Sequence, residues 1–139
     1  NLSGKDNAVL SGILLGKTKD EMRNLLSDII DFSEIGDAID DPVRTYSSGM
    51  RARLSFATAL KADPEMILVD ELLGVGDLQF RKKSTQAMKE QISSEKTVVI
   101  VSHNEELIKE LCDRLIWIDA GTIKAQGSVE EVRKQYHAK

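Results

Sequence analysis

The sequence predicts an α/β protein in which a run of helices precedes strands that alternate with helices. Three observations predict it. Up to residue 45 the apolar residues recur at helical spacing; from Ser47 onward short apolar runs at 66–69, 97–101 and 115–118 alternate with amphipathic stretches; and Asp40, Asp41 and Pro42 interrupt the pattern between the two parts. The chain has 139 residues, 41% of them hydrophobic, and a net charge of -4. That is enough apolar material for a core and too little net charge for a disordered acidic tail.

The elements follow in order. Ala8, Val9, Ile13 and Leu14 share one face of a helix over residues 5–15, with Gly16 as its C-terminal cap. Thr18 and Glu21 form a capping box for a second helix carrying Met22, Leu25, Leu26, Ile29 and Ile30 as one stripe. Proline at 42 disfavours helix in the residue before it, so a subdomain boundary is placed there, dividing residues 1–45 from 46–139. Ser47 or Ser48 caps a helix with Leu54, Ala57, Thr58 and Leu60 that stops before Pro64. A strand at 66–69, a helix at 78–92, a strand at 97–101, a helix at 105–112 and a strand at 115–118 come next. A turn at Ala120 and Gly121, a short strand at 122–125 and a helix capped by Ser128 and Glu131 complete the pattern. Apolar strands separated by amphipathic helices predict a mainly parallel sheet covered on both faces.

Several function classes are disfavoured. No apolar run approaches the ~20 residues of a membrane-spanning helix. Asn1 opens a polar stretch without a basic-then-apolar leader, so no signal peptide is predicted. Mild acidity, with three Phe, two Tyr and one Trp, argues against a nucleic-acid partner. Cys112 is the single cysteine and is read as a small apolar residue, with no disulfide or thiolate metal cage.

The segment from Gly12 to Thr18, with Gly16 and Lys17, imitates a phosphate-binding loop, yet it is one residue short and no strand precedes it. The stronger signal is an apolar strand ending in Asp70 and Glu71. It delivers two carboxylates to the carboxyl edge of the sheet, where one can hold magnesium and the other activate a water. His103 ends the next strand, just before a helix, where it can orient a water or donate to a phosphate. Tyr46-Ser47-Ser48-Gly49-Met50 opens a helix followed by Arg51 and Arg53, offering amides, hydroxyls and a helix dipole to an anion. Each has an ordinary reading taken singly: a solvated strand end, a loop histidine, a capped helix.

Together they resemble a family. The stretch 46–57 is similar to the signature motif of ABC ATPases, 66–71 to their Walker B strand, Gly74-Val75-Gly76-Asp77 to their D-loop and His103 to their switch histidine, in the same order and spacing. Arg44-Thr45-Tyr46-Ser47-Ser48-Gly49, the run from Asp70 to Asp77 and the opening Leu2-Ser3-Gly4-Lys5-Asp6-Asn7 resemble the subfamily that exports O-antigen, capsule or teichoic acid. The resemblance implies a P-loop NTPase fold, with residues 1–45 as the α-helical subdomain and 46–139 as the C-terminal part of the ATP-binding core.

Carried over residue by residue, it implies Glu71 as general base, Asp70 as the magnesium residue, His103 as sensor of the γ-phosphate, and Asp77 as the D-loop carboxylate linking two sites. Ser47, Ser48 and Gly49 would meet the γ-phosphate of ATP held by an opposite subunit. Ser48 stands where the family usually has glycine and Met50 where it has glutamine, so the phosphate contact is looser. The implied cofactors are ATP and Mg2+. The implied partners are a second ATPase subunit, head to tail, and a transmembrane permease, at the cytoplasmic face of a bacterial membrane. Asn1 matches a position just after the family's glutamine loop, so the resemblance implies a C-terminal part lacking the Walker A loop, and this piece alone should neither bind ATP tightly nor hydrolyse it. Two other readings stay open: a soluble ABC-type ATPase without a permease, whose cousins carry coiled-coil or basic inserts not visible here, and an inert interaction module, which has no chemical reason to keep Glu71 and His103.

Overall fold

The computed structural model describes residues 2–70, 77–92 and 96–138. Residues Asn1–Ile67 with Leu72–Thr97 form one compact unit, and Leu68–Glu71 with Val98–Lys139 form another.

The first unit is helical. Helix α1 (Gly4–Leu14) starts at Ser3, whose side chain accepts from the Asp6 N–H, and ends at Leu15, after which Gly16 takes φ +97. The imitation of a phosphate loop is thereby resolved: Gly12 lies inside α1, and a Cβ there would collide with Met22. The Thr18–Glu21 capping box forms as the sequence predicts. The single helix expected after it is two, α2 (Lys19–Asn24) and α3 (Leu26–Ser33), separated at Leu25. Met22, Leu26 and Ile29, from both helices, enter one core with Ala8, Ile39 and Tyr46. Two 3₁₀ turns, Gly36–Asp40 and Val43–Thr45, occupy the stretch around Pro42.

Helix α4 (Ser48–Lys61) is capped by Ser47 and buries Leu54, Ala57 and Thr58. Helix α5 (Leu78–Ile92) buries Phe80 and Ser84. Phe80 meets Phe32 and Phe56 edge-on, with ring centroids 5.9 and 6.1 Å away.

Strands β1 (Met66–Asp70) and β2 (Thr97–Val101) pair with each other, and β3 (Arg114–Asp119) pairs antiparallel with β4 (Thr122–Ser128). Between β1 and β2 runs α5, the kind of crossover a parallel pair requires. The expected single sheet covered on both faces is thus two pairs among the described residues. Met66, Leu68, Val99, Val101, Ile116, Ile118 and Ile123 are exposed. The strands are apolar on both sides, but only the alternate residues, such as Ile67, Val69, Val98 and Ile100, find cover. Ala120 and Gly121 both have positive φ, as a two-residue hairpin turn demands, and the hairpin runs to Ser128, three residues beyond the expected strand. Helix α6 (Glu105–Leu111) follows β2, and α7 (Val129–His137) begins at the predicted Ser128–Glu131 capping box. None of the described helices is long and apolar enough to cross a membrane.

Bonds to carboxylates make stability pH-dependent. The Thr18 and Ser128 hydroxyls hold Glu21 and Glu131 below the usual carboxylate range; Lys96 does so for Asp63. A carboxylate whose folded pKa is depressed contributes stability above its unfolded value, and that contribution fades as pH falls through the folded value. The melting temperature should therefore fall on acidification below about pH 4.5. Glu131→Gln should make the acid limb shallower. A melting temperature unchanged or rising toward acid would contradict the assignment.

Candidate functional site

In the helical unit the site is the start of α4. Ser47 has extended backbone, φ -62 and ψ 163, and its Oγ accepts from the Met50 N–H at 3.1 Å. The hydroxyl still has its own proton to donate. The first-turn N–H groups of Ser48 and Gly49 have no intrahelical acceptor, as at any helix start. Helix α4 has no acidic residue in its first turn, so its dipole is not neutralised by a carboxylate. Gly49 is open to approach: an added Cβ would find only the Ser47 Oγ, at 3.8 Å. Tyr46 is buried and donates its hydroxyl to the Ala38 carbonyl, while Arg51 Nη1 donates to the Tyr46 carbonyl at 2.8 Å. The chain entering the turn is therefore pinned on both sides.

Asp77 belongs to the same unit. Its Oδ1 accepts from the N–H groups of Gln79 at 3.1 Å and Phe80 at 3.0 Å, capping α5, and its Oδ2 pairs with Arg53 of α4. These bonds, the Phe80 amide first, hold the Asp77 carboxyl below its ordinary range. Arg53 also reaches Glu34 at 3.3 Å and lies 5.0 Å over the Phe80 ring. Glu34 in turn accepts from Lys83 of α5 at 2.7 Å. Sequence reasoning named Arg53 only as a nearby cation and missed Glu34 and Lys83. Their separations of 19, 24 and 49 residues carry no periodic signal.

In the second unit, Asp70 ends β1, exposed, and His103 lies exposed in the loop after β2. Because β1 and β2 are neighbours, the Asp70 strand end lies in the strand pair that leads into the His103 loop. Ser102 Oγ accepts from the Asn104 N–H at 3.0 Å, and Asn104 Oδ1 accepts from Glu106 and Leu107, both at 3.1 Å, starting α6. Glu71 and the D-loop residues Gly74, Val75 and Gly76 lie outside the described residues. Asp70 offers the hard oxygen donor that Mg2+ takes. Cys112 is half-buried, and burial, with the nearby Asp113 charge, pushes its thiol pKa up, which disfavours the thiolate.

No family model matches the chain. It is 46% identical over 136 residues to the teichoic acids export ATP-binding protein TagH of Lactococcus lactis, covering 98% of this chain and 29% of that protein. It is 44% identical over 136 residues to the O-antigen export system ATP-binding protein RfbB of Myxococcus xanthus, covering 98% and 31%. An RfbB of Klebsiella pneumoniae is 38% identical over 135 residues, covering 97% and 55%. The chain thus spans between about a third and about half the length of these curated relatives. Among solved structures, the ATP-binding subunit of an ABC transporter superposes with a TM-score of 0.80 at 18% identity, covering 99% of this chain and 57% of that one. A bacterial ABC transporter cassette solved as a dimer gives 0.65 at 23% identity, covering 92% and 57%. Those two likenesses concern the fold.

Proposed function

We propose that this chain, a homologue of teichoic acid and O-antigen export ATP-binding proteins along nearly its whole length, is part of the ATP-hydrolysing subunit of a bacterial ABC exporter. The observation that carries the reading is that homology, at 37–46% identity over 97–99% of the chain. Residues 1–45 would be the helical subdomain, facing a membrane permease, and 46–139 the C-terminal part of the ATP-binding core. Asp70 would hold Mg2+, Glu71 would take a proton from the attacking water, and His103 would bond the γ-phosphate of the same ATP. Ser47, Ser48 and Gly49 would contact the γ-phosphate of ATP on an opposing subunit, and Asp77 would link the two sites. ATP supplies the free energy; closing two subunits head to tail and reopening them after hydrolysis would drive export of a polysaccharide or teichoic acid at the cytoplasmic face of the membrane.

The full-length protein should turn over MgATP and co-purify with a transmembrane permease. Turnover without any permease would favour a soluble ABC-type ATPase, and absence of turnover an inert module.

Gly49 separates folding from function. A glycine in a helix interior costs about 0.5–1 kcal/mol relative to alanine, an upper bound for Gly49 in the first turn, and nothing in the fold crowds a Cβ at this position. Gly49→Ala should therefore stabilise the protein by up to about 1 kcal/mol in urea unfolding. The same methyl group would stand where the phosphate approaches, so MgATP-dependent association of the full-length protein should weaken. A variant that is both more stable and fully active would remove Gly49 from the phosphate site.

A further inference from the structure

Resting on that reading, we propose that Arg133 is a positioning residue for His103, acting through Glu105 to fix the loop that presents the histidine. The inference starts from how α7 is tied to that loop. Its own bonds, Ser102 Oγ to the Asn104 N–H and Asn104 Oδ1 to the first turn of α6, set its internal shape and not its place in the unit. A recess of about 670 Å³, lined by His103, Glu105, Trp117, Arg133 and Tyr136 among others, separates the loop from much of β3 and α7. Packing across such a space is incomplete, and a directional bond adds what close packing does not.

That bond comes from α7. Glu105 is the first residue of α6, two positions after His103. Its Oε2 accepts from Arg133 Nε at 3.2 Å and from Arg133 Nη2, and it lies 3.1 Å from His137 Nε2. The Arg133 side chain is 22% exposed and Glu105 43%, so water screens the pair only in part. Two donors of the planar guanidinium on one carboxylate oxygen fix direction as well as distance. Helix α7 is itself fastened by the Ser128–Glu131 capping box and by Val132, which is 1% exposed. The Trp117 and Tyr136 rings meet edge-on at 5.3 Å, tying α7 to β3. Beside β2, which leads directly into the loop, a second route from the body of the unit to the histidine thus runs through β3, α7, Arg133 and Glu105. Neither Arg133 nor Glu105 is assigned to nucleotide contact; their effect is on where His103 stands.

Turnover of MgATP by the full-length protein tests this. Arg133→Ala should lower kcat roughly tenfold with KM unchanged, since displacing an aligned group by a fraction of an ångström is expensive in rate. Arg133→Lys should keep part of the rate, and Glu105→Gln should lower kcat like Arg133→Ala. The decisive measurement is the combination with His103→Ala: in that background Arg133→Ala should change kcat no further, because the residue acts through the histidine. The inference is overturned if Arg133→Ala leaves kcat unchanged, if its effect multiplies with that of His103→Ala, or if kcat falls only in parallel with a lowered melting temperature that Arg133→Lys shares. Failure of the underlying reading looks different: the wild-type protein would not turn over MgATP, or His103→Ala would be as fast as wild type.

Discussion

Glu71→Gln in the full-length protein should bind MgATP as well as the wild type and lose turnover by roughly two to four orders of magnitude, the range general-base removal gives. Glutamine has the size and shape of glutamate and can still accept a hydrogen bond through its carbonyl. It cannot take a proton. It also removes a negative charge that would sit near a terminal phosphate, so the ATP-bound, closed state becomes easier to form and harder to leave. Gel filtration with MgATP should show a dimer for the variant at protein concentrations where the wild type returns to monomer. Rapid turnover by Glu71→Gln would end the assignment of this residue as base. The prediction draws on the position of Glu71 in the sequence, directly after the last residue of β1; its own placement lies outside the described residues.

Phe80→Ala should be the most destabilising single change in the helical unit, by about 3–5 kcal/mol. Phe80 is fully buried, touches Phe32 and Phe56 edge-on, and lies beneath the Arg53 guanidinium. Alanine is the better helix former, so the loss measures packing and not propensity. Against a total stability of about 5–15 kcal/mol, this is a large fraction. The same change removes the surface on which Arg53 rests between Glu34 and Asp77, so the tie between α4 and α5 should loosen with it. Urea unfolding followed by helical signal reads the effect, and Phe80→Leu, which leaves a smaller void, should lose less. A loss under about 1 kcal/mol would mean the aromatic cluster is not a core.

The sequence by itself determined what lies within a few residues. The capping boxes at Thr18–Glu21 and Ser128–Glu131, the α4 cap at Ser47 or Ser48, the span of α5 and the turn at Ala120 and Gly121 all depend on local bonds, dihedrals or periodicity, and all were legible. The motif residues Ser47, Ser48, Gly49, Asp70, Glu71, Asp77 and His103 are named from spacing alone, which is a sequence property, and their roles stay proposals.

Only the tertiary structure decided the rest. An unbroken apolar stripe could not show that the helix is interrupted at Leu25, since where a helix breaks depends on the core it meets. Apolar strands could not show which face would be covered, because composition is the same on both sides and burial depends on what packs there. Arg53 reads as one more cation until Glu34 and Asp77 are brought to it, and Arg133 as one more until Glu105 is. Such pairs, 19 to 28 residues apart, are joined by folding, and no local pattern encodes a partner that only the folded chain delivers.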